Sequence, residues 1–194
     1  MIRLESWSGA AITANLDALA GLRITVFRDF PYLYDGDLDH ERGYLQTYVD
    51  APAAVVIAAL DGDRVVGAAT ALPLADETDE VKAPFLARGF DLASVFYFGE
   101  SILLADYRGR GLGHGFFDGR EAQARAQGAA IAAFCAVQRP ADHARRPADY
   151  RPLDDFWRKR GYRPEPGMTT TFTWQDLDEG EKSAKPMQFW LRAL

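Results

Sequence analysis

The run Arg108-Gly109-Arg110-Gly111-Leu112-Gly113-His114-Gly115 stands directly after an apolar, β-branched segment and directly before a helical pattern. A helix N-terminus leaves its first backbone N–H groups unpaired and carries partial positive charge. Glycines that let a ligand approach the backbone there make a cradle for an anion such as phosphate. Two nucleotide signatures fail on spacing. The dinucleotide fingerprint Gly-x-Gly-x-x-Gly needs a third glycine where His114 or Phe116 stands, and the mononucleotide loop needs a lysine, which is missing from Val95 to Cys135. A strand-to-helix turn without a ligand remains the competing reading. Just upstream, Glu100 is the only carboxylate between Asp91 and Asp106. Strand alternation sends Gly99 and Glu100 to opposite faces unless a β-bulge re-aims one of them.

Two other clusters carry groups capable of chemistry. Asp35, Asp37, Asp39 and Glu41 alternate like a calcium loop, but His40 stands where the loop's glycine is needed and Gln46 where its glutamate is needed. A solvated loop, or a field attracting a cationic amine, are the remaining readings. His40, His114 and His143 are scattered and only one cysteine is present, so no metal site is expected.

These residues need elements to position them. Residues 1–7 alternate as a strand, and apolar residues from Ile12 to Phe27 recur every three or four positions as a helix closed by Phe30-Pro31. A loop at 32–39 precedes a second helix carrying Tyr44, Leu45, Tyr48 and Val49. Val55–Leu60 and Arg64–Leu72 read as a hairpin across Asp61-Gly62-Asp63. Residues 73–92 read as a loop with one short helix, and Val95–Leu104 as a central strand. Leu112–Gln127 is a helix capped by Gly128, and Ala129–Val137 a buried strand. A loop at 140–151 leads to a short helix at Leu153–Arg160, then strands at Met168–Trp174 and Met187–Leu191. The order is that of a mixed α/β sheet covered by helices.

Arg108-x-x-Gly111-x-Gly113, with Tyr107 before it, resembles the Arg/Gln-x-x-Gly-x-Gly/Ala signature of the GNAT acetyltransferases. Phe156-Trp157-Arg158-Lys159-Arg160-Gly161-Tyr162 resembles the family's second motif, and the element order agrees along nearly the whole chain. The resemblance implies a single domain over residues 1–194, an α+β fold with a central, mostly antiparallel mixed sheet covered by helices on both faces. It implies acetyl-CoA as co-substrate. The N–H groups of Gly109, Arg110, Gly111, Leu112, Gly113 and His114 would bind the CoA pyrophosphate, with charge from Arg108 and Arg110. Ser101, Ile102 and Leu103 would lie along the pantetheine arm as an added strand would. Glu100 would be the general base for a primary amine of a small molecule or peptide, attacking the thioester directly in a ternary complex. Trp157 departs from the family pattern, because it replaces the tyrosine expected as acid for the thiolate, and an indole N–H donates a hydrogen bond but no proton. Tyr150 is the candidate in its place. Tyr162 reads as core. A non-catalytic acyl-CoA-binding sensor or partner protein is the alternative.

The 194 residues, 48% hydrophobic, are enough to bury a core without disulfides or metals. Lysines and arginines number 22 against 28 acidic residues, a formal charge of −6 that opposes general nucleic-acid binding. The single cysteine, Cys135, fits a reducing compartment. Neither a membrane-length apolar run nor a signal-peptide layout is present, so a cytoplasmic protein is expected. The oligomeric state is left open, a homodimer included.

Overall fold

In the computed structural model, residues 2–194 are described; Met1, the first residue of the predicted first strand, lies outside them. Strand β1 (Ile2–Trp7) leads into α1 (Ala10–Ala14), α2 (Leu16–Phe27) and α3 (Leu38–Asp50). Strands β2 (Val55–Asp61) and β3 (Arg64–Pro73) follow, then α4 (Asp79–Ala87), β4 (Val95–Leu103) and α5 (Leu112–Ala126). The chain closes with β5 (Ile131–Val137), α6 (Asp154–Lys159), β6 (Arg163–Trp174) and β7 (Ser183–Ala193).

The strands form one sheet in the order β1-β2-β3-β4-β5-β7-β6. Every neighbouring pair is antiparallel except β4 and β5, which are parallel and joined through α5. Each face carries its own apolar layer. Leu19 and Leu22 of α2, Leu45 and Tyr48 of α3, and Phe85 of α4 pack with Val56, Leu72, Val95 and Tyr97 on one side. Phe116, Phe117 and Ala124 of α5 pack with Ile57, Phe96, Phe98 and Phe134 on the other, where Phe156 of α6 joins them. The expected mixed sheet with helices on both faces is what the chain forms.

Differences from the sequence reading lie at element ends. The first long helix is divided at Asn15 and stops at Phe27, before the Phe30-Pro31 pair. Gly128 ends α5 as expected, at φ 76°. The N–H groups of Gly128 and Ala129 return to the carbonyls of Arg125 and Ala124, a Schellman closure that delays β5 to Ile131. Strand β6 starts earlier than expected because Arg163 and Pro164 already pair with Leu191 and Trp190, and β7 starts earlier because the outer hairpin continues, Thr171 pairing with Pro186 and Thr173 with Ala184.

Strand β4 contains the bulge that the alternation of its residues left open. Thr70 pairs with Glu100 but Leu72 pairs with Tyr97, so β4 carries one extra residue between those partners. The bulge inverts the pleat. Val95 and Tyr97 face the α2 side, and after the bulge so does Ile102, while Phe96, Phe98 and Leu103 face α5. Gly99 makes this local geometry feasible, because a Cβ there would overlap the Tyr48 hydroxyl and stand 2.8 Å from Thr70 Oγ1. Gly99→Ala is therefore expected to destabilise the protein by about 1–3 kcal/mol through overpacking. Thermal melts should show the loss, with Gly99→Ala/Tyr48→Phe recovering part of it.

Candidate active site

Strands β4 and β5 pair only at Val95–Ile131, Phe96–Ala132 and Tyr97–Ala133. Beyond those pairs β4 stays with β3 to Leu103, while β5 stays with β7 to Val137. The two parallel strands thus part after their third pair, and the sheet opens into a wedge with one unpaired strand edge on each side. A cleft of about 1250 Å³ fills the opening. Its walls include Gly99, Glu100 and Ser101 from β4, Cys135 from β5, Phe30 from the loop after α2, and Trp157 from α6.

The glycine run lies at the head of this cleft. Gly111 caps α5 in the left-handed region at φ 82°, and Gly109 lies at φ 75°. A Cβ at either glycine would meet no protein atom within 4 Å, so the backbone there is open to a ligand. Among the described residues, the N–H groups of Gly109, Arg110 and Gly111 donate to no backbone carbonyl. With the N–H groups of Leu112 and Gly113 at the start of the 15-residue α5, they form a set of free donors at the positive end of the helix, whereas the expected His114 donor is already spent on the Gly111 carbonyl at 3.0 Å. Arg108, Gly109, Gly111, Gly113 and His114 line the cleft. Arg108 spans it, donating to the Leu103 carbonyl at 3.2 Å and pairing with Asp29 at 3.3 Å. Arg110 instead bends back to the Asp106 carbonyl at 2.8 Å and lies over the Tyr107 ring, and Leu112 packs against the α5-side core. His114 meets Phe156 at 5.0 Å between ring centroids, which docks α6 beside the cradle.

Along the β4 wall, Ser101 and Leu103 face the cleft, whereas Ile102 is 1% exposed in the core on the α2 side. The Glu100 side chain is 6% exposed and held by the guanidinium of Arg23, which also receives buried Glu41. Arg23 in turn lies over the Tyr44 ring at 3.8 Å. One arginine thus serves two carboxylates beneath the bulge, and losing one partner of such a buried set typically costs about 3–5 kcal/mol. On the α5 side, Arg120 is 1% exposed. It donates to the Glu100 carbonyl at 2.9 Å and to the Ser101 hydroxyl at 2.8 Å, and sits over the Phe98 and Phe117 rings. Burial pulls its pKa down to about 10, which leaves it cationic at neutral pH. Sequence reasoning missed both arginines. Their signal was a charge at an apolar position of each helix: Arg23 beside Leu22, and Arg120 four residues after Phe116.

Tyr150 lies on the cleft wall, edge-on to Phe30 at 4.7 Å and under Arg146. Burial raises its pKa, which makes it a weaker acid than an exposed tyrosine and better suited to donating a hydrogen bond than a proton. Trp157 packs between Phe134 and Trp190 at 5.0 and 5.1 Å. Tyr162 is fully buried, donates to Glu121 at 3.1 Å, and belongs to the core as expected. The acidic loop does not reach the cleft. Asp35 pairs with Arg28 at 2.9 Å, Asp37 caps α3 through the His40 N–H, Asp39 pairs with Arg42 at 3.1 Å, and Glu41 is spent on Arg23. Of the two open readings, these partners support a solvated loop over a field aimed at the cleft.

The face of the bulge turned toward α3 rests on polar groups. Tyr48 is fully buried, shares a 3.0 Å hydrogen bond with Tyr44, and lies beside Glu77. Burial is the main cause raising the Glu77 carboxyl above its ordinary value. A folded-state pKa above the unfolded one means that the native protein binds the proton more tightly, so stability falls as pH rises through this range. The penalty is absent below the unfolded value and complete above the folded one. Glu77→Gln, which keeps an acceptor for the Thr78 N–H, should therefore raise the melting temperature at pH near 8 and leave it nearly unchanged near pH 4.

No protein-family model and no curated protein matches the sequence. Solved structures match it in fold. A ribosomal-protein-alanine N-acetyltransferase from Brucella melitensis superposes with a TM-score of 0.62 at 16% identity, over 100% of this chain and 99% of that one. An N-acetyltransferase from Staphylococcus aureus gives 0.63 at 12% identity, over 100% and 98%. An aminoglycoside 6′-N-acetyltransferase complexed with coenzyme A gives 0.63 at 14% identity, over 98% and 96%. The architecture is that of the GNAT acetyltransferases.

Proposed function

We propose that the chain is an acetyl-CoA-dependent N-acetyltransferase, a single domain over residues 1–194 acting in the cytoplasm on a primary amine of a small molecule or peptide. The observation that carries this reading is the parting of β4 from β5 directly below the Gly109–Gly111 donors. It makes one continuous groove with anion-binding backbone at its head and an unpaired strand edge along its length. CoA has the matching sequence of parts, a pyrophosphate followed by an amide-bearing arm. The free N–H groups suit the pyrophosphate, and the edge of β4 at Ser101–Leu103 suits the amides, which would pair as an added strand does. The arm then delivers the thioester to the bulge at Gly99 and Glu100.

In this reading the amine attacks the thioester carbon directly in a ternary complex. Glu100, held by Arg23, takes the amine proton directly or through a water. Tyr150 offers a hydrogen bond from the opposite wall. The aromatic surroundings at Phe30 and Tyr150 favour an acceptor with an apolar body. Trp157 in its aromatic stack and Glu100 already engaged by an arginine favour a second reading, a non-catalytic acyl-CoA sensor. Release of CoA thiol over a panel of amines separates the two.

Calorimetry tests the binding step. The wild type is expected to bind CoA, Arg108→Ala to bind it about tenfold more weakly because backbone donors remain, and Gly111→Val to lose binding. Valine there suffers both a left-handed backbone and a side chain in the ligand's path. Absence of binding by the wild type at millimolar concentration would reject the reading. Glu100→Gln should lower turnover by about a hundredfold with little change in CoA affinity, the deficit shrinking at high pH where free amine is abundant. An unchanged rate across pH would remove Glu100 from the mechanism.

A further inference from the structure

Arg120 is a buried cation with no acidic partner among the described residues. Its donors go to neutral oxygens: the Phe116 carbonyl at 3.2 Å, the Thr70 carbonyl at 3.4 Å, the Glu100 carbonyl at 2.9 Å and the Ser101 hydroxyl at 2.8 Å. An uncompensated buried charge is costly, which makes its placement against the cleft wall informative. Of these four acceptors only the Ser101 hydroxyl has a hydrogen of its own to give. Its oxygen already receives a hydrogen from Arg120, so the Ser101 hydrogen points elsewhere, and Ser101 is exposed on the wall of the cleft. A hydroxyl whose oxygen is bonded to a cation is a stronger donor than a free one.

We propose that Ser101, polarised by Arg120, donates a hydrogen bond to the sulfur of bound CoA and stabilises the thiolate that leaves during acyl transfer. Ser101 is the group that touches the reacting atom, and Arg120 is a positioning residue acting through it. The inference rests on the acyl-transfer reading above. A CoA pyrophosphate at the cradle and an arm along β4 bring the sulfur back toward the bulge, beside which Ser101 stands. In the reaction the amine nitrogen bonds to the carbonyl carbon, the C–S bond breaks, and its electron pair leaves on sulfur. The amine proton passes to Glu100 or to water, and Ser101 keeps its own. The pair thereby removes the need for the proton that Trp157 cannot give, since a stabilised thiolate needs none in order to leave.

The test needs no acceptor amine. CoA and desulfo-CoA, which lacks the sulfur, are titrated into the wild type by calorimetry between about pH 7 and about pH 10. A site that prefers the thiolate lowers the bound thiol's pKa, so the ratio of CoA to desulfo-CoA affinity should rise about tenfold across this range, equivalent to about one pH unit. Other charged or titratable groups border the cleft. They are Glu100 with Arg23 beneath it, Arg120 and His114 from α5, Cys135 from β5, Arg139 after it, Arg108 paired with Asp29 at the head, Tyr150 with Arg146, Asp149 and Arg151 from the loop before α6, and Asp154 and Arg158 of α6. Their contacts with the parts common to both ligands cancel in the ratio, but their effect on the thiolate does not. The comparison of Ser101→Ala with wild type isolates the Ser101 share of the rise below about pH 10, at which Arg120 begins to lose its charge. Ser101→Ala, a change at an exposed position, should flatten the ratio, and Ser101→Thr should restore it. Arg120→Gln should reduce the rise, with its melting curve reporting whether the fold survives. A flat ratio for a wild type that binds CoA, or a Ser101→Ala ratio equal to wild type, overturns the proposal alone. Failure of the wild type to bind CoA overturns the acyltransferase reading and the proposal with it.

Discussion

Two demands meet in β4. It must remain paired with β3 as far as Leu103 to keep the sheet intact, yet leave β5 after Tyr97 to open the cleft. The bulge between Tyr97 and Glu100 lies where the two strands part. Inverting the pleat there puts the Glu100 side chain over Arg23 on one face and the Ser101 side chain over Arg120 on the other. Gly99 is the residue that permits the turn, because Tyr48 and Thr70 already occupy the space a side chain would need. The walls, the head and the charges of the cleft are arranged around this one irregularity.

The two buried arginines act from opposite sides of the same strand. Arg23 pairs with two carboxylates and fixes the Glu100 side chain, while Arg120 holds the Glu100 carbonyl and the Ser101 hydroxyl. A bulge leaves backbone groups out of the regular ladder, and a buried guanidinium with several donors is well shaped to bind them. A further clamp fixes the wall facing the bulge. Arg139 pairs with buried Asp176 at 2.7 Å and donates to the carbonyls of Pro31 and Tyr32 at 2.7 and 2.8 Å, tying the loop after α2 to the end of β5. Phe30 is the cleft-lining aromatic of that loop. The cleft is thus held open by hydrogen-bonded charges rather than by apolar packing alone.

Much of this organisation could be read from residue types. The order of elements, the sheet with helices on both faces, the Gly128 closure and the turn at Gly109–Gly113 follow from local chemistry, which acts over a few neighbours. The parting of β4 and β5 does not. Phe96 and Phe134 look alike in sequence whether their strands are paired or separated, because which edges stay open is decided by pairing across the whole sheet. The bulge is invisible for the same reason, since it depends on Tyr48 meeting Gly99 from another element. Arg23 and Arg120 were passed over because arginine on a helix is usually solvated. For the acidic loop the sequence left two readings open, and partners from other elements decide between them: Arg28, the start of α3, Arg42 and Arg23 each claim one carboxylate. Sequence places such charges within reach of a site and leaves their partners unstated.

The central claim is that one continuous groove, from the Gly109–Gly111 donors along the open edge of β4, receives CoA. Amide hydrogen exchange with and without saturating CoA examines it residue by residue. The account predicts that CoA slows exchange at Gly109–His114 and at Ser101–Leu103 together, while the amides of β1 and β2 at the far edge of the sheet are unaffected. Protection confined to other surfaces, or none at the glycine run under saturating ligand, would contradict it.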